Sequence, residues 1–323
     1  MKKLYIILPV AAAVLASCGV EDVYYGQVYD PDSPVDMPYE IDWNAAADSV
    51  DNVLVERFMY KDRGIFNRLS DLQDPESNYN NYWGQAHAMD VIIDAYLRIR
   101  NSSDPEDQTR AAEYLNYMDL WHQNRGNNYS GPGFKNDFTD DMEWIVLTLC
   151  RMYEATEDRK YLDSAKETYD SYIRTRVAED IALANGTHDP NGRNGLRWYY
   201  NESRPLENDR EGSTYSLNAC SNGPGVLCAM RLYNLVEDQA EKEKYLADAV
   251  SVYDWLSSVL YDPATGGVSD NINNGTVGGV PLSYNQGTFM GGAHMLYTAT
   301  GDPKYITEAI KAARYQMNSM TTD

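Results

Sequence analysis

The chain has 323 residues, with 49 acidic against 27 basic side chains and a formal net charge of −22. Such an excess of negative charge argues against nucleic acid as a partner, because phosphates are bound by lysine and arginine. The charge instead suits solubility and a neutral or cationic ligand. From residue 41 onward, about 280 residues suffice to bury one large core, so one folded domain is predicted.

The N-terminus carries the pattern of an exported lipoprotein. Lys2 and Lys3 precede an apolar stretch over 4–15, which is too short to span a bilayer stably. The run Leu15-Ala16-Ser17-Cys18 follows. It resembles a lipobox and implies cleavage before Cys18 and lipidation of the Cys18 thiol.

Residues 1–17 are accordingly predicted to be a signal peptide, and residues 18–40, which are rich in Pro, Asp and Tyr, a tether. Gly19 follows the lipidated cysteine, and a residue other than aspartate at this position argues against retention in the inner membrane. The pair Glu21-Asp22 resembles the export tag of surface lipoproteins in Bacteroides-type bacteria. We therefore expect a protein that is lipid-anchored to the outer membrane and exposed at the cell surface.

From residue 43 onward, apolar residues recur with the period of an α-helix, and no run alternates convincingly as a strand would. The nine predicted helices cover 43–60, 82–100, 105–123, 139–155, 159–178, 224–236, 240–260, 284–298 and 303–320. Three segments, at 151–162, 231–246 and 294–306, each end one helix, turn, and begin the next helix with a tyrosine. This repeat predicts helical hairpins, and its irregular spacing favours hairpins closed into a ring over an open solenoid.

Long linkers rich in Gly, Asn, Asp, Tyr and Trp precede alternate helices. They cover 67–81, 126–138, 184–223 and 262–283. On one face of a ring of hairpins, these linkers would together build a cleft. Cys150, Cys220 and Cys228 have no zinc-site spacing and are predicted to be buried small hydrophobic residues.

Two consecutive aspartates, Asp140 and Asp141, open an amphipathic helix. Carboxylates about 5 Å apart repel by roughly 3 kcal/mol at an effective dielectric constant of about 20, which separates their pKa values. One can then hold a proton near neutral pH while the other stays ionised, as a retaining glycosidase requires. The alternative is that the aspartates only cap the helix and complement its dipole.

Several motifs, in order along the chain, resemble those of glycoside hydrolase family 76. They are YWGQAHAMD at 82–90, NDFTDDMEW at 136–144, NGP at 222–224, YDWL at 253–256, TGGVSD at 265–270 and SYNQG at 283–287. That family comprises bacterial and fungal endo-α-1,6-mannanases that fold as (α/α)6 toroids. The resemblance implies an all-α (α/α)6 toroid as the catalytic domain over 41–323, acting on α-mannan as a monomer without cofactor or metal.

In that family the first aspartate of the pair is the nucleophile and the second the general acid/base of a retaining mechanism. The resemblance places these roles on Asp140 and Asp141, with carboxyl groups about 5 Å apart at a loop-to-helix junction. The predicted substrate-binding residues are Trp83, Gln85, His87, Asn136, Trp198, Tyr199, Asn222, Asp270, Tyr284, Asn285 and Gln286. Trp198 and Tyr199, in a long loop, would stack on sugar rings.

Other interpretations of these residues stay open. Trp83 and His87 lie four residues apart on one helix face and could belong to the core, and the amides of Asn285 and Gln286 could cap their helix. A closed toroid of six hairpins needs twelve helices, which would take roughly 60 more residues at about 20 per helix and loop. A C-terminal truncation is therefore expected.

Three other functions compete with the glycosidase. A surface glycan-binding lipoprotein would need aromatic platforms but no coupled carboxylates. A polysaccharide lyase acting on uronates would need basic residues in its cleft, whereas the linkers are mostly neutral or acidic. A toroid epimerase would use histidine pairs, and the chain has only four scattered histidines.

Overall fold

A computed structural model of the chain describes residues 41–70, 82–124, 133–177, 195–200, 216–273 and 275–320. The predicted signal peptide, Cys18 and the whole tether lie outside the described residues, as do parts of the long linkers. The chain divides into two compact units, Met1–Asp48 and Ser49–Asp323, and the architecture below is that of the second. Among the described helices, none is both long and apolar enough to cross a membrane.

The described residues form nine α-helices, in the order predicted. They are α1 Trp43–Phe58, α2 Tyr82–Ile99, α3 Pro105–Asn124, α4 Thr139–Thr156, α5 Arg159–Thr168, α6 Ala219–Leu235, α7 Gln239–Val259, α8 Ser283–Thr300 and α9 Pro303–Ser319. The α-helix α5 ends earlier than predicted and continues as a π-helical turn, Tyr169–Ile173, and a 3-10 turn, Arg174–Arg176. Helical periodicity does not distinguish these tighter and wider turns from an α-helix.

The start of α6 differs from the prediction, which placed Pro224 in its first turn. The helix begins at Ala219 and carries Pro224 inside it. Proline at this position removes the hydrogen bond to the carbonyl of Cys220. Close packing compensates for this loss, since every residue from Ala219 to Val226 is buried.

The helices form two layers of antiparallel hairpins. Helices α2, α4, α6 and α8 each contact the next one in this series and form the inner layer. Each is followed by an outer helix that packs on it, which gives the hairpins α2–α3, α4–α5, α6–α7 and α8–α9. One apolar core runs through both layers and includes Met89, Ile145, Leu232 and Leu256, all of them 0 % exposed.

The part of the chain that the structure describes also has five short strands that were not predicted, because two or three residues are too few for an alternating pattern. They are β1 Met59–Tyr60, β2 Ile65–Phe66, β3 Ser216–Asn218, β4 Asn271–Asn273 and β5 Thr276–Gly278. The last three form an antiparallel sheet in the order β3-β4-β5. Strand β3 runs directly into α6, and the Ala219 N–H donates to the Asp270 carbonyl at 2.7 Å.

The segment 195–200 connects this sheet to the start of α4. The Trp198 N–H donates to the Ser216 carbonyl at 3.4 Å, and the Trp198 carbonyl accepts from the Thr139 N–H at 2.8 Å. The described parts of three linkers therefore meet beside the N-terminal ends of α4 and α6, as the predicted cleft requires.

The packing between these elements leaves no room for a side chain at Gly225. A Cβ atom there would lie 2.6 Å from Cδ1 of Leu196 and 3.0 Å from Oε1 of Glu143. We expect Gly225→Ala to lower the free energy of unfolding by about 1–3 kcal/mol, because the clash outweighs the better helix propensity of alanine. Urea unfolding followed by circular dichroism measures this change.

Gly287→Ala in α8 is the matched control, because a Cβ atom at Gly287 has no neighbour within 4 Å. The same substitution should there be neutral or stabilising, by up to about 1 kcal/mol. Equal effects at the two glycines would contradict the packing argument.

Candidate active site

Asp140 and Asp141 lie in the first turn of α4. The N-cap of this helix is Phe138, which has extended backbone (φ −92°, ψ 128°) and makes no side-chain capping hydrogen bond. Neither aspartate therefore occupies the N-cap, although the positive end of the helix dipole favours negative charge at both positions.

The Asp140 carboxylate is partly buried and is held by a tryptophan. Its Oδ2 atom accepts a hydrogen bond from Nε1 of Trp198 at 3.3 Å, and its buried Oδ1 atom has no hydrogen-bond partner among the described residues. Burial raises the pKa of Asp140 to about 6, and the hydrogen bond from Trp198 and the nearby Cys220 thiol oppose this rise. The group is therefore ionised in most molecules at neutral pH.

The Asp141 carboxylate is held by an asparagine and by the start of α2. Its Oδ2 atom accepts from Nδ2 of Asn136 at 3.1 Å. Burial, followed by the negative charge of Asp140, raises the pKa of Asp141 to about 7, and hydrogen bonds from Asn136 and the Trp83 N–H oppose the rise. With Asp140 ionised, Asp141 retains its proton up to about neutral pH.

The loop before the acidic pair is fixed by Arg176, a residue that sequence analysis did not single out. The Arg176 side chain is buried and donates to the backbone carbonyls of Asp137, at 2.7 Å, and Asn136, at 2.8 Å. Its guanidinium also lies 5.2 Å from the ring centre of Tyr200. Nothing in the sequence distinguishes this arginine at the end of a helix from a surface residue.

Asn136 acts on Asp141 rather than on solvent. The Asn136 side chain is buried, and its Oδ1 atom accepts from the Phe138 N–H at 2.8 Å while Nδ2 holds Asp141. Both ends of the amide are therefore engaged, so Asn136 orients the acidic pair, and its contact with a sugar stays a prediction.

Trp198 and Tyr199 pack on either side of the loop before α4. The ring centre of Phe138 lies 5.3 Å from that of Trp198 and 5.1 Å from that of Tyr199. Both rings are half-buried beside Asp140, in a position from which an aromatic face can meet a sugar ring. The hydrogen bond from Trp198 to Asp140 was not predicted.

A second polar group stands at the start of α8. Asp270 accepts hydrogen bonds from Nδ2 of Asn285 and Nδ2 of Asn271, each at 3.0 Å. Tyr284 is 44 % exposed, and its pKa is raised by partial burial and by the charges of neighbouring groups that include Asp270 and Asp140. The Tyr284 hydroxyl group is therefore close enough to Asp140 to interact with its charge.

Asn285 and Gln286 are buried, yet they retain free hydrogen-bonding atoms. Oδ1 of Asn285 and both polar side-chain atoms of Gln286 have no partner among the described residues. The N-cap of α8 is Leu282, so neither amide caps the helix. Unpaired buried amides are uncommon, and these atoms can donate to or accept from a polar ligand.

Backbone groups engage the amides of Gln85 and Asn222, whose contacts with substrate stay predictions. Gln85 Oε1 accepts from the Phe66 N–H at 2.9 Å, and Nε2 donates to the Phe66 carbonyl at 2.5 Å. Asn222 pairs in the same way with Leu196, and it also donates to the Asn218 carbonyl at 2.8 Å. Both side chains are buried and fasten loops to the inner helices.

Trp83 and His87 lie near the surface at the start of α2. Trp83 is 50 % exposed, and its ring centre lies 5.7 Å from that of His87, which in turn lies 4.9 Å from the partly buried ring of Trp144. Because the Trp83 N–H meets Asp141, Trp83 and His87 adjoin the acidic pair and do not belong to the core.

Cys220 and Glu143 are two further neighbours of Asp140 that sequence analysis did not assign to the site. All three described cysteines are buried and unpaired, as predicted, but Cys220 lies within α6 and its thiol meets Asp140. Glu143 is fully buried on α4. The sequence gives no sign that Glu143, which precedes Trp144 in an amphipathic helix, is buried.

Comparison with known proteins identifies the family. The sequence model described as Glycosyl hydrolase family 76 matches residues 42–323. The chain belongs to this family. It is therefore a glycoside hydrolase, and the predicted fold class, an all-α (α/α)6 toroid of helical hairpins, is confirmed. The comparison with curated proteins gave no match.

Solved structures of family members share this fold. The GH76A α-1,6-mannanase from Salegentibacter sp. HEL1_6 is 30 % identical, with a TM-score of 0.61 over 87 % of this chain and 72 % of that one. An inactive variant of the same enzyme, with two consecutive aspartates replaced, binds α-1,6-mannotetrose; it is 28 % identical, with a TM-score of 0.64 over 87 % and 73 % of the two chains. A family 76 mannosidase from Bacteroides thetaiotaomicron VPI-5482, 22 % identical over 84 % of this chain and 70 % of that one, has the same fold at a TM-score of 0.64.

The raised pKa values of the acidic pair predict a stability change with a defined pH dependence. A carboxyl whose pKa is raised in the folded state contributes most to stability below its unfolded pKa, and this contribution is lost as the pH rises through about 6 for Asp140 and about 7 for Asp141. The double variant Asp140→Asn/Asp141→Asn cannot titrate at these positions. It should therefore exceed the wild type at pH 8 by about 1–3 kcal/mol.

Thermal unfolding at a series of pH values measures this difference, which should vanish near pH 4. Glu154→Gln, near the C-terminal end of α4 and paired with Arg231 on the surface, is the control and should not reproduce the effect. A stability gain that grows toward acid pH would contradict the argument.

Proposed function

We propose that this glycoside hydrolase cleaves α-1,6-mannosidic linkages in α-mannan with retention of configuration, with Asp140 as the nucleophile and Asp141 as the general acid/base. The observation that carries the proposal is the pair of adjacent carboxyls whose pKa values are raised to about 6 and about 7. The complex of a Salegentibacter mannanase with α-1,6-mannotetrose supports the choice of substrate. The two consecutive aspartates replaced in that inactive variant support the choice of residues.

In the first step, an oxygen of the ionised Asp140 attacks the anomeric carbon while Asp141 gives its proton to the departing glycosidic oxygen. The products are a mannosyl ester on Asp140 and a free hydroxyl group on the leaving sugar. In the second step, Asp141 removes a proton from water, which attacks the anomeric carbon, releases the bound mannosyl group as a free sugar with a reducing end, and restores the Asp140 carboxylate. A carboxyl separation of about 5 Å is expected for this route.

The surrounding groups offer the kinds of contact that a sugar needs. Trp83, Trp198 and Tyr199 offer aromatic faces, and Tyr284 offers a partly exposed hydroxyl group beside Asp140. On the α8 side, the substrate contacts proposed for Asn285 and Gln286 would use amide atoms that have no partner among the described residues. Asp270, which holds Asn285, is the further contact proposed there. His87, beside Trp83, completes the proposed contacts on the α2 side.

The two pKa values predict a bell-shaped dependence of kcat/KM on pH. Activity should rise as Asp140 ionises near pH 6 and fall as Asp141 loses its proton near pH 7. Because the groups interact, the two limbs report the pair as a whole and define a narrow optimum between them. Initial rates on an α-1,6-mannooligosaccharide across the pH range test this. A plateau extending to pH 9 would exclude Asp141 as the acid.

The two aspartates should be distinguishable by substrate chemistry. Asp140→Asn should lower kcat on every mannoside by about three orders of magnitude or more, because no ester can form. Asp141→Asn should lose as much on mannan but retain glycosyl transfer to the enzyme with an aryl mannoside, whose phenolate leaves without protonation. The release of one equivalent of phenol per enzyme, measured in a stopped-flow burst, separates the two cases.

Glu154→Gln serves again as a carboxyl-removing control on the same helix and should match the wild type. Near-normal turnover of mannan by either aspartate variant would remove that residue from its role. Binding of mannan by the wild type without any hydrolysis would favour the alternative, a glycan-binding surface lipoprotein.

We also propose that the protein is held on the outer membrane through lipid on Cys18, on the strength of the run Leu15-Ala16-Ser17-Cys18 after a dibasic start. Cys18→Ala should leave an unprocessed precursor or release the protein from membranes. Fractionation of cells and mass spectrometry of the mature N-terminus test this. A soluble periplasmic wild-type protein with an unmodified N-terminus would overturn the proposal.

A further inference from the structure

A third carboxyl group, Glu143, stands behind the acidic pair and has no part in the mechanism above. It follows Asp140 by three positions on α4, so the two side chains lie on the same face of the helix one turn apart. The Glu143 side chain is 0 % exposed, and neither of its carboxyl oxygens has a hydrogen-bond partner among the described residues. A buried ionised carboxylate without partners would carry a large desolvation cost.

The surroundings of Glu143 disfavour its ionised form. The titratable and charged groups that interact with it are Asp140 on α4, Tyr169 in the π-helical turn, Arg176 in the 3-10 turn, and Cys220 and Cys228 on α6. Burial, followed by the charge of Asp140, raises the pKa of Glu143 well above its ordinary value, and the opposing effect of Arg176 is smaller. Arg176 donates hydrogen bonds to two carbonyls of the preceding loop and, at 3.5 Å, to Oγ1 of Thr139.

The packing around Glu143 also holds the carboxyl in place. Its Oε1 atom would lie 3.0 Å from a Cβ atom at Gly225, so the absence of a side chain at Gly225 makes room for it against α6. On the same face of α4, Oδ1 of Asp140 is buried and has no partner among the described residues. A carboxylic acid has one O–H donor, and a carboxylate accepts, so the unpaired groups of Glu143 and Asp140 are complementary.

We propose that Glu143 is a positioning residue that keeps its proton and donates a hydrogen bond, directly or through one buried water, to Oδ1 of Asp140. With Nε1 of Trp198 on Oδ2, both oxygens of the carboxylate are then held, which fixes its plane for attack. The bond also stabilises the ionised form of Asp140 in a site where burial opposes ionisation. This inference rests on the proposed role of Asp140 as nucleophile.

Two substitutions at Glu143 separate a hydrogen bond from a charge. A glutamine amide would still donate, so Glu143→Gln should leave the acidic limb of the kcat/KM profile where it is in the wild type. Glu143→Met cannot donate, so the limb should move to higher pH by about one unit, because the ionised form of Asp140 loses its partner. Glu154→Gln, at the far end of α4, is the matched control with an unchanged profile.

Thermal unfolding shows whether the effect on the profile is merely structural. Methionine fills a similar volume without an unpaired polar group, so Glu143→Met should be at least as stable as the wild type while its acidic limb moves. A limb that does not move in Glu143→Met would overturn the proposal. A limb that moves to lower pH in Glu143→Gln would also overturn it, because it would show that the wild-type glutamate is ionised.

Infrared difference spectroscopy tests the proton without reference to activity. The wild type at neutral pH should show a carboxylic acid C=O band that disappears in Glu143→Gln and changes frequency in Asp140→Asn. Absence of the band would overturn the proposal even if both Glu143 variants were poorly folded. Retained turnover in Asp140→Asn would refute the assignment of Asp140 as nucleophile. The change in band frequency in that variant would still decide whether Glu143 and Asp140 are hydrogen-bonded.

Discussion

The structure of the site depends on the cost of placing two like charges side by side in a partly buried position. Desolvation raises the pKa of both Asp140 and Asp141, and the charge of Asp140 adds to the rise at Asp141. Trp198, Asn136 and the N-terminus of α4 partly offset this cost. The part of the cost that these groups do not offset keeps a proton on Asp141 near neutral pH. The proposed chemistry depends on this remaining cost.

The arrangement of helices explains why the pair can be held at all. Apolar contacts along the length of the inner helices pack them together. Loops join these helices at their N-terminal ends. Two of these loops are fastened to a buried polar side chain through their backbone groups. Arg176 fastens the loop before α4, and Asn222 fastens the segment at Leu196. Such bonds restrict the movement of the loops beside the aspartates.

Much of the fold could be predicted from the sequence, because helix periodicity and the hairpin repeat are local signals. The partners of the polar residues could not, since they lie far apart in the chain: Gln85 and Phe66 by 19 residues, and Trp198 and Asp140 by 58. Gln85 and Asn222 belong to motifs of the family, yet their amides serve the loops. A motif identifies residues near a site, whereas only geometry distinguishes a residue that meets the ligand from one that holds the backbone.

The coupling between the aspartates has a further consequence for the proposed reaction cycle. The charge of Asp140 is one cause of the raised pKa of Asp141, and this charge disappears when Asp140 becomes an ester. The pKa of Asp141 must then fall toward that of an ordinary carboxyl group, although burial still holds it above that value. The same residue is thereby a proton donor before the ester forms and an acceptor after it, and no movement of the protein is needed to change its role.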